Sequence, residues 1–198
     1  GESILLTGTE QFVPTKDLNL KAAKHVEIKK AGDLTTEKVN ITAGKNVYLT
    51  STEGNVNVKD TTKFISAEKV YITGAKNVTT TNTVDMNNIQ TNILAGKDIN
   101  VKLLNVGNRQ NGLVAQAGDN VTIETPGTLS VSSLISGKDM KIVANRVIAG
   151  LPYTQEPKLN NDYERSYIEV GGTFTSEVTN DNYDITLSGD PTNDGQYN

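Results

Sequence analysis

The chain has 198 residues, of which 35% are hydrophobic and 5% aromatic, and this composition argues against a compact core built on large aromatic side chains. It has no cysteine, which excludes a disulfide framework, a thiolate metal site and a cysteine nucleophile. The net charge is −4, but residues 1–150 carry 17 Lys+Arg and 14 Asp+Glu, whereas residues 151–198 carry 2 and 9. Neither part has the basic stripe that nucleic-acid binding requires, and no run of about 18 apolar residues could span a membrane.

The first residues, GESILLTGTE, lack the basic and apolar regions of a signal peptide and resemble a strand in the middle of a repeat array. We therefore expect this chain to be an interior segment of a longer protein.

A short phrase then returns about every twenty residues: a small residue, Gly, a charged residue and Asn or Asp, followed by apolar-x-apolar. Weaker copies stand at 22–28 and 66–72, and clear copies read AGKNVYL at 43–49, AGKDINV at 95–101, AGDNVTI at 117–123 and SGKDMKI at 136–142. Repetition at this period predicts a solenoid in which each copy is one stacked unit.

Each phrase contributes two apolar positions that alternate with a polar residue, as in a half-buried strand. The first of these positions should stack in one ladder, one residue per coil: Val26, Val47, Val70, Ile99, Val121 and Met140. The interval from Val70 to Ile99 is the longest, and it predicts a normal coil with a polar excursion, a candidate partner contact at residues 79–92.

Two further apolar clusters follow each phrase, so that each coil of about 19–23 residues should hold three short strands. The first cluster comprises Leu34, Val56, Val78, Val106, Leu129 and Val147, and the second begins with Val39 and Ile41. The pattern predicts an all-β parallel β-helix over residues 1–150.

The residues between strands predict tight corners. Gly44, Gly96, Gly118 and Gly137 are expected to adopt positive φ there. The residue just before each strand is Asn or Asp, which either forms a hydrogen-bonded ladder between coils or is simply a good turn residue. These positions are Asn46, Asn77, Asp98, Asn120 and Asp139.

The four clear copies of the phrase resemble the haemagglutinin repeats of the filamentous-haemagglutinin family, the large exoproteins of bacterial two-partner secretion, which include contact-dependent growth-inhibition toxins. The similarity covers roughly residues 20–150. It implies a right-handed parallel β-helix in a secreted shaft at the cell surface, without cysteine, exported by an outer-membrane transporter that recognises a part of the parent chain not present here.

Residues 151–198 lack the phrase and hold five of the seven tyrosines and three of the five prolines. They are expected to form a non-repeat segment of strands and loops that either caps the open end of the β-helix or binds a partner. The candidate contact residues are Tyr153, Tyr163, Tyr167 and Tyr183.

Catalytic and metal-binding patterns are weak. His25, the single histidine, is expected to be a solvated turn residue, and without a second histidine or a cysteine no Ser-His-Asp triad or histidine zinc site is predicted. Residues 190–195 imitate the start of a calcium loop, but an acidic tail is the preferred interpretation. The outward positions Glu27, Tyr48, Tyr71, Asn100, Thr122 and Lys141 contain one carboxylate, whereas glycoside hydrolysis needs a pair.

The preferred hypothesis is therefore a structural or adhesive shaft segment of a secreted bacterial exoprotein, without enzymatic activity or cofactor. Two alternatives stay open. One is a receptor- or glycan-binding module centred on residues 151–198, and the other is a β-helix enzyme acting on polysaccharides.

Overall fold

The computed structural model describes residues 1–8, 16–107, 112–149 and 167–179, and over these residues the chain is all β. Every pairing between described strands is parallel, and the chain winds as a right-handed parallel β-helix. The strands are β1 Ile4–Gly8, β2 Leu18–Ala22, β3 Val26–Lys30, β4 Leu34–Thr36, β5 Val39–Ala43, β6 Asn46–Ser51, β7 Val56–Lys59, β8 Thr62–Ser66, β9 Lys69–Gly74, β10 Val78–Asp85, β11 Gln90–Ala95, β12 Ile99–Leu104, β13 Leu113–Ala117, β14 Val121–Ser136, β15 Met140–Ala149, β16 Tyr167–Val170 and β17 Phe174–Val178.

The strands stack into the sides of a rod. Face 1 consists of β1, β3, β6, β9, β11, β13, the second half of β14 and β16. Face 2 consists of β4, β7, β10, β12, the first half of β14, β15 and β17. Face 3 begins with β2, β5 and β8. Because β14 bends around a corner and contributes to two sides, faces 1 and 2 form one continuous sheet.

The core is a column of aliphatic side chains inside the rod. Successive side chains of a strand point to opposite sides, so every second residue faces inward. On face 1, for example, Ile28, Leu49, Ile72 and Ile93 follow one another in register, and none is more than 2% exposed. Burial of one such side chain contributes about 1.5–3 kcal/mol relative to exposure, and each added coil buries several of them.

The prediction that the first apolar residues of all phrases stack in one ladder is wrong. Val26, Val47 and Val70 do stack on face 1, but the register partner of Val70 in the next coil is Thr91. Ile99 instead stacks on Val78 in face 2, where Val121 and Met140 continue its ladder. The phrase therefore precedes strands of face 1 up to β9 and strands of face 2 from β12 onward. Similar turn residues can stand before a strand of either face.

The predicted polar excursion near residues 79–92 is also wrong. The segment contains β10, which pairs with β7 and β12, and the first residues of β11. Val84 and Met86 are fully buried within it. The long interval from Val70 to Ile99 arises because the phrase changes corner. Asn82, Thr83 and Asn87 of this segment are exposed, and its role as a partner contact stays a prediction.

The β-helix continues after residue 150. Strand β16 pairs with β14 on face 1, and β17 pairs with β15 on face 2. Gly171, Gly172 and Thr173 form the corner between them and align with Gly137, Lys138 and Asp139. The predicted boundary at residue 150 stays a prediction, since residues 150–166 and 180–198 lie outside the described part of the chain.

Candidate functional site

The corner between faces 1 and 2 carries a ladder of side-chain hydrogen bonds. At each step, the Oδ1 atom of an Asn or Asp accepts a hydrogen bond from the backbone N–H of the corresponding residue in the next coil. The donor–acceptor distances are 2.7 Å for Asn55 to Asp33, 3.2 Å for Asn77 to Asn55, 3.2 Å for Asp98 to Asn77, 3.1 Å for Asn120 to Asp98, 3.2 Å for Asp139 to Asn120 and 2.8 Å for Thr173 to Asp139. The ladder satisfies backbone donors that would otherwise lack a partner where the sheet pairing is interrupted.

The alternative of a hydrogen-bonded ladder is thereby confirmed for four of the predicted positions, but Asn46 is not part of it. Asn46 lies at a different corner, and its Nδ2 atom donates to the Tyr48 hydroxyl at 2.8 Å. The prediction also missed Asp33 and Asn55. Each of them stands directly before a face 2 strand, as the other members do, and that position could have identified them.

The prediction that Gly44, Gly96, Gly118 and Gly137 adopt positive φ is wrong. Gly107 is the one glycine with positive φ among the described residues, and left-handed corners elsewhere use residues such as Lys38 and Asn82. The reason for glycine is close approach between coils. A Cβ atom at Gly137 would overlap the carbonyl oxygen of Gly118, and Gly44, Gly96 and Gly118 face a carbonyl of the preceding coil in the same way.

Aromatic rings stack on the outer surface of face 1. The rings of Tyr48 and Tyr71 lie 5.0 Å apart between centroids and are nearly parallel, at 9°. His25 packs against Tyr48 at 5.9 Å and 51°, so it is half-buried rather than the solvated turn residue expected. Because the two tyrosine rings contact each other face to face, the stack joins adjacent coils.

Face 1 also carries outward apolar side chains, which we call the apolar strip: Tyr48, Tyr71, Leu94, Val114 and Ile135. Leu94 is 46% exposed, and Tyr48, Tyr71, Val114 and Ile135 are partly exposed. The corresponding outward positions of face 2 are polar: Thr35, Asn57, Thr79, Asn100, Thr122, Lys141 and Thr175. Two sides built on the same core therefore differ in surface chemistry.

The six outward positions predicted to share one face are divided between two. Glu27, Tyr48 and Tyr71 lie on face 1, whereas Asn100, Thr122 and Lys141 lie on face 2. The register neighbours of Glu27 are Leu5 and Tyr48, so its ladder brings no second carboxylate next to it.

Ion pairs link neighbouring coils of face 2 and its corner. The Lys141 Nζ atom lies 2.7 Å from Glu177 Oε1, and this hydrogen bond raises the pKa of Lys141 above its ordinary value. Lys138 contacts Asp119 at 2.9 Å, which raises the pKa of Lys138 in the same way. Both lysines are exposed, so these pairs are surface links between coils.

A groove of about 340 Å³ lies between residues 65–68 and 87–90. Asn87 closes its wall, since the Asn87 Nδ2 atom donates to the Ile65 carbonyl at 2.8 Å. Within the described ranges, no three His, Cys, Asp or Glu side chains are grouped to hold a metal ion. The part of the chain that the structure describes also lacks a helix with the length and hydrophobicity needed to cross a membrane.

Most of the tyrosines predicted as partner contacts lie outside the part of the chain that the structure describes. Tyr153, Tyr163 and Tyr183 lie outside the described residues, as does the calcium-loop-like segment at 190–195. Tyr167 begins strand β16, where its register partner is Ser133 of face 1. Their role as contacts stays a prediction.

Comparison of the chain with protein-family models, with curated proteins and with solved structures found no match.

Proposed function

We propose that this chain is a structural shaft segment whose task is to extend a rod and to present its sides. The observation that carries the proposal is the unbroken ladder from Asp33 to Thr173 beside a continuous aliphatic core. Both features join each coil only to its neighbours, so length can be added without a change in cross-section.

We further propose that the shaft belongs to a secreted bacterial surface exoprotein, either an adhesin or a growth-inhibition toxin. The support is the repeated phrase with its resemblance to haemagglutinin repeats, together with a chain free of cysteine. Export would use an outer-membrane transporter that acts on other parts of the parent chain. In this proposal the chain has no enzymatic role, and its outer sides contact a cell-surface receptor or glycan.

An exchange experiment tests the shaft proposal. The 198 residues replace a similar length of shaft in a two-partner-secreted exoprotein that carries a surface epitope distal to the replacement. We expect secretion and surface exposure of the epitope at levels near those of the parent, because an added stack of coils preserves the rod. A globular domain of equal length serves as control. Retention of the chimera inside the cell, at the level of that control, would contradict the proposal.

A binding module centred on residues 151–198 is a second candidate, and one observation favours it. Ala149 and Tyr167 have Val131 and Ser133 as their register partners one coil earlier. In that earlier coil Ser132 alone connects the two positions, whereas residues 150–166 connect them in the later coil. Insertions in solenoids often carry the binding function. Replacement of residues 151–165 by a short Gly-Ser linker should abolish binding to cells or glycans while the circular dichroism spectrum stays unchanged. Unaltered binding would eliminate this candidate.

The enzyme alternative has a direct test of its own. Incubation of the full chain with a panel of polysaccharides should give no product that depends on Glu27. Turnover that disappears in the Glu27→Gln variant would overturn the non-catalytic proposal.

A further inference from the structure

We propose that the apolar strip on face 1 is a docking surface for a second copy of this chain, so that two rods pair side by side. The proposal is independent of the parent protein to which the shaft belongs. It depends on the contrast between the sides of the rod, on the area that face 1 offers and on the position of Leu94 within the strip.

The contrast between faces identifies the surface. Apart from the partly exposed Val143, the outward side chains of face 2 are mainly threonine, asparagine and charged residues, several of which form ion pairs or hydrogen bonds between coils. On face 1, two adjacent outward rows of β6, β9, β11, β13 and β14 carry the apolar strip, and Tyr71, Leu94, Val114 and Ile135 follow one another diagonally across successive strands. Diagonal neighbours in a sheet lie about 7–8 Å apart, within reach of aromatic and long side chains. The polar residues between them are Thr50, Thr73, Asn92, Gln116 and Ser133. A contiguous apolar patch on an otherwise polar surface is characteristic of a protein–protein contact.

The size of the surface fits a dimer of modest affinity. Strands spaced about 4.8 Å apart with a rise of about 3.3 Å per residue give face 1, from β3 to β14, roughly 500 Å² on each copy. The two copies together would then bury roughly 1,000 Å², the lower bound for a specific interface. Flat sheets pack face to face at about 10 Å, which allows the outward side chains of the two copies to interdigitate.

Leu94 indicates the symmetry of the pair. It lies near the middle of the strip, and its own register neighbours, Thr73 and Gln116, are polar. A twofold axis parallel to the strands and passing through Leu94 places this side chain against its copy and Tyr71 of one rod over Val114 of the other. A twofold interface uses the same patch on both copies, so one apolar strip is sufficient. The two rods then run in opposite directions.

Sedimentation equilibrium of the full chain over a wide range of concentration tests the pairing. We expect a monomer–dimer equilibrium that Leu94→Glu weakens at least tenfold, since the substitution places two carboxylates together at the axis. Asn100→Glu is the matched control, because Asn100 is an exposed outward residue of the same coil on face 2. It should leave the equilibrium unchanged. A wild-type chain that is monomeric throughout, or equal effects of the two substitutions, would overturn the proposal.

Cross-linking tests the symmetry without relying on affinity. Because the chain has no cysteine, a single introduced thiol reports one position. Leu94→Cys should form a disulfide-linked dimer under mild oxidation, whereas Asn100→Cys should stay monomeric, and circular dichroism verifies that both variants are folded. Cross-linking of Asn100→Cys at the same rate would show random collision, and failure of Leu94→Cys to cross-link would contradict an axis through Leu94.

Discussion

At the scale of single residues, the corner between faces 1 and 2 depends on two positions with different tasks. The glycine allows the backbone of one coil to approach the carbonyl oxygen of the coil before it, and the Asn or Asp accepts a backbone hydrogen bond from the coil after it. Both tasks concern contacts between residues about twenty positions apart. The residues of the phrase are therefore required by contacts between stacked coils, although the phrase resembles a local turn motif.

The glycine requirement leads to a stability prediction. Gly137→Ala should lower the free energy of unfolding by about 1–3 kcal/mol, because the new Cβ overlaps the Gly118 carbonyl oxygen and the corner must shift. Gly127→Ala is the control, since the nearest atom to its added Cβ is 3.8 Å away. Urea denaturation measures both variants. Equal stability of the two would contradict close approach as the reason for glycine.

The ladder leads to a second prediction. Asn120→Ala removes the acceptor of the Asp139 N–H and the donor to Asp98 Oδ1, so the free energy of unfolding should fall by about 1 kcal/mol. Asn100→Ala removes an exposed asparagine in the preceding coil and should change stability by less than about 0.5 kcal/mol. Thermal unfolding followed by circular dichroism compares them. If the ladder contributes nothing to stability, both variants will have the same melting temperature.

At the scale of the elements, register decides what a strand contributes. Strand β10 illustrates the point. Its sequence VTTTNTVD is mainly polar, and the long interval in which it lies predicted an excursion from the rod. The first half of β10 pairs with both β7 and β12, its second half pairs with β12, and Asn82 forms a left-handed corner between the halves. A segment that the sequence assigns to the outside thus supplies Val84 to the core.

The burial of this segment can be tested at Met86. Met86→Ala should reduce the free energy of unfolding by about 2–5 kcal/mol, the usual range for truncation of a fully buried methionine. Thr83→Ala changes an exposed residue of the preceding strand β10 and should cost less than about 0.5 kcal/mol. Guanidinium denaturation with a common slope would measure the difference. A small effect at Met86 would indicate that residues 79–92 do lie outside the core.

At the scale of the whole molecule, stability is a sum of contacts between adjacent coils. Strands β16 and β17 cover one end of the described stack, where Phe174 lies over Met140 and Ser176 over Ile142. Met140 and Ile142 are each 1% exposed because of this cover. Loss of the last coil should therefore act locally, on β14 and β15, and leave distant coils intact.

A truncation after Gly150 tests this local coupling. Amide hydrogen exchange should become faster in β15 and in the second half of β14, because their pairing partners are removed. Protection of β6 and β9 should stay as in the full chain, which is the internal control. A uniform loss of protection along the rod would show that the chain folds as one unit, and the nearest-neighbour description would be wrong.

The sequence alone determined the parallel β-helix, its period and the positions of several corners, because Gly, Asn, Asp and alternating Val and Ile carry information about strands and turns within a few residues. It also raised the alternative of an Asn/Asp ladder, which the structure confirms for Asn77, Asp98, Asn120 and Asp139. The tertiary structure alone decided which side of the rod each phrase occupies. Alternation with a period of two fits every face equally well, and only the pairing of Val70 with Thr91 and of Ile99 with Val78 separates them. The apolar strip follows from that decision, since Tyr71, Leu94 and Val114 become diagonal neighbours on adjacent strands only when the coils are in register.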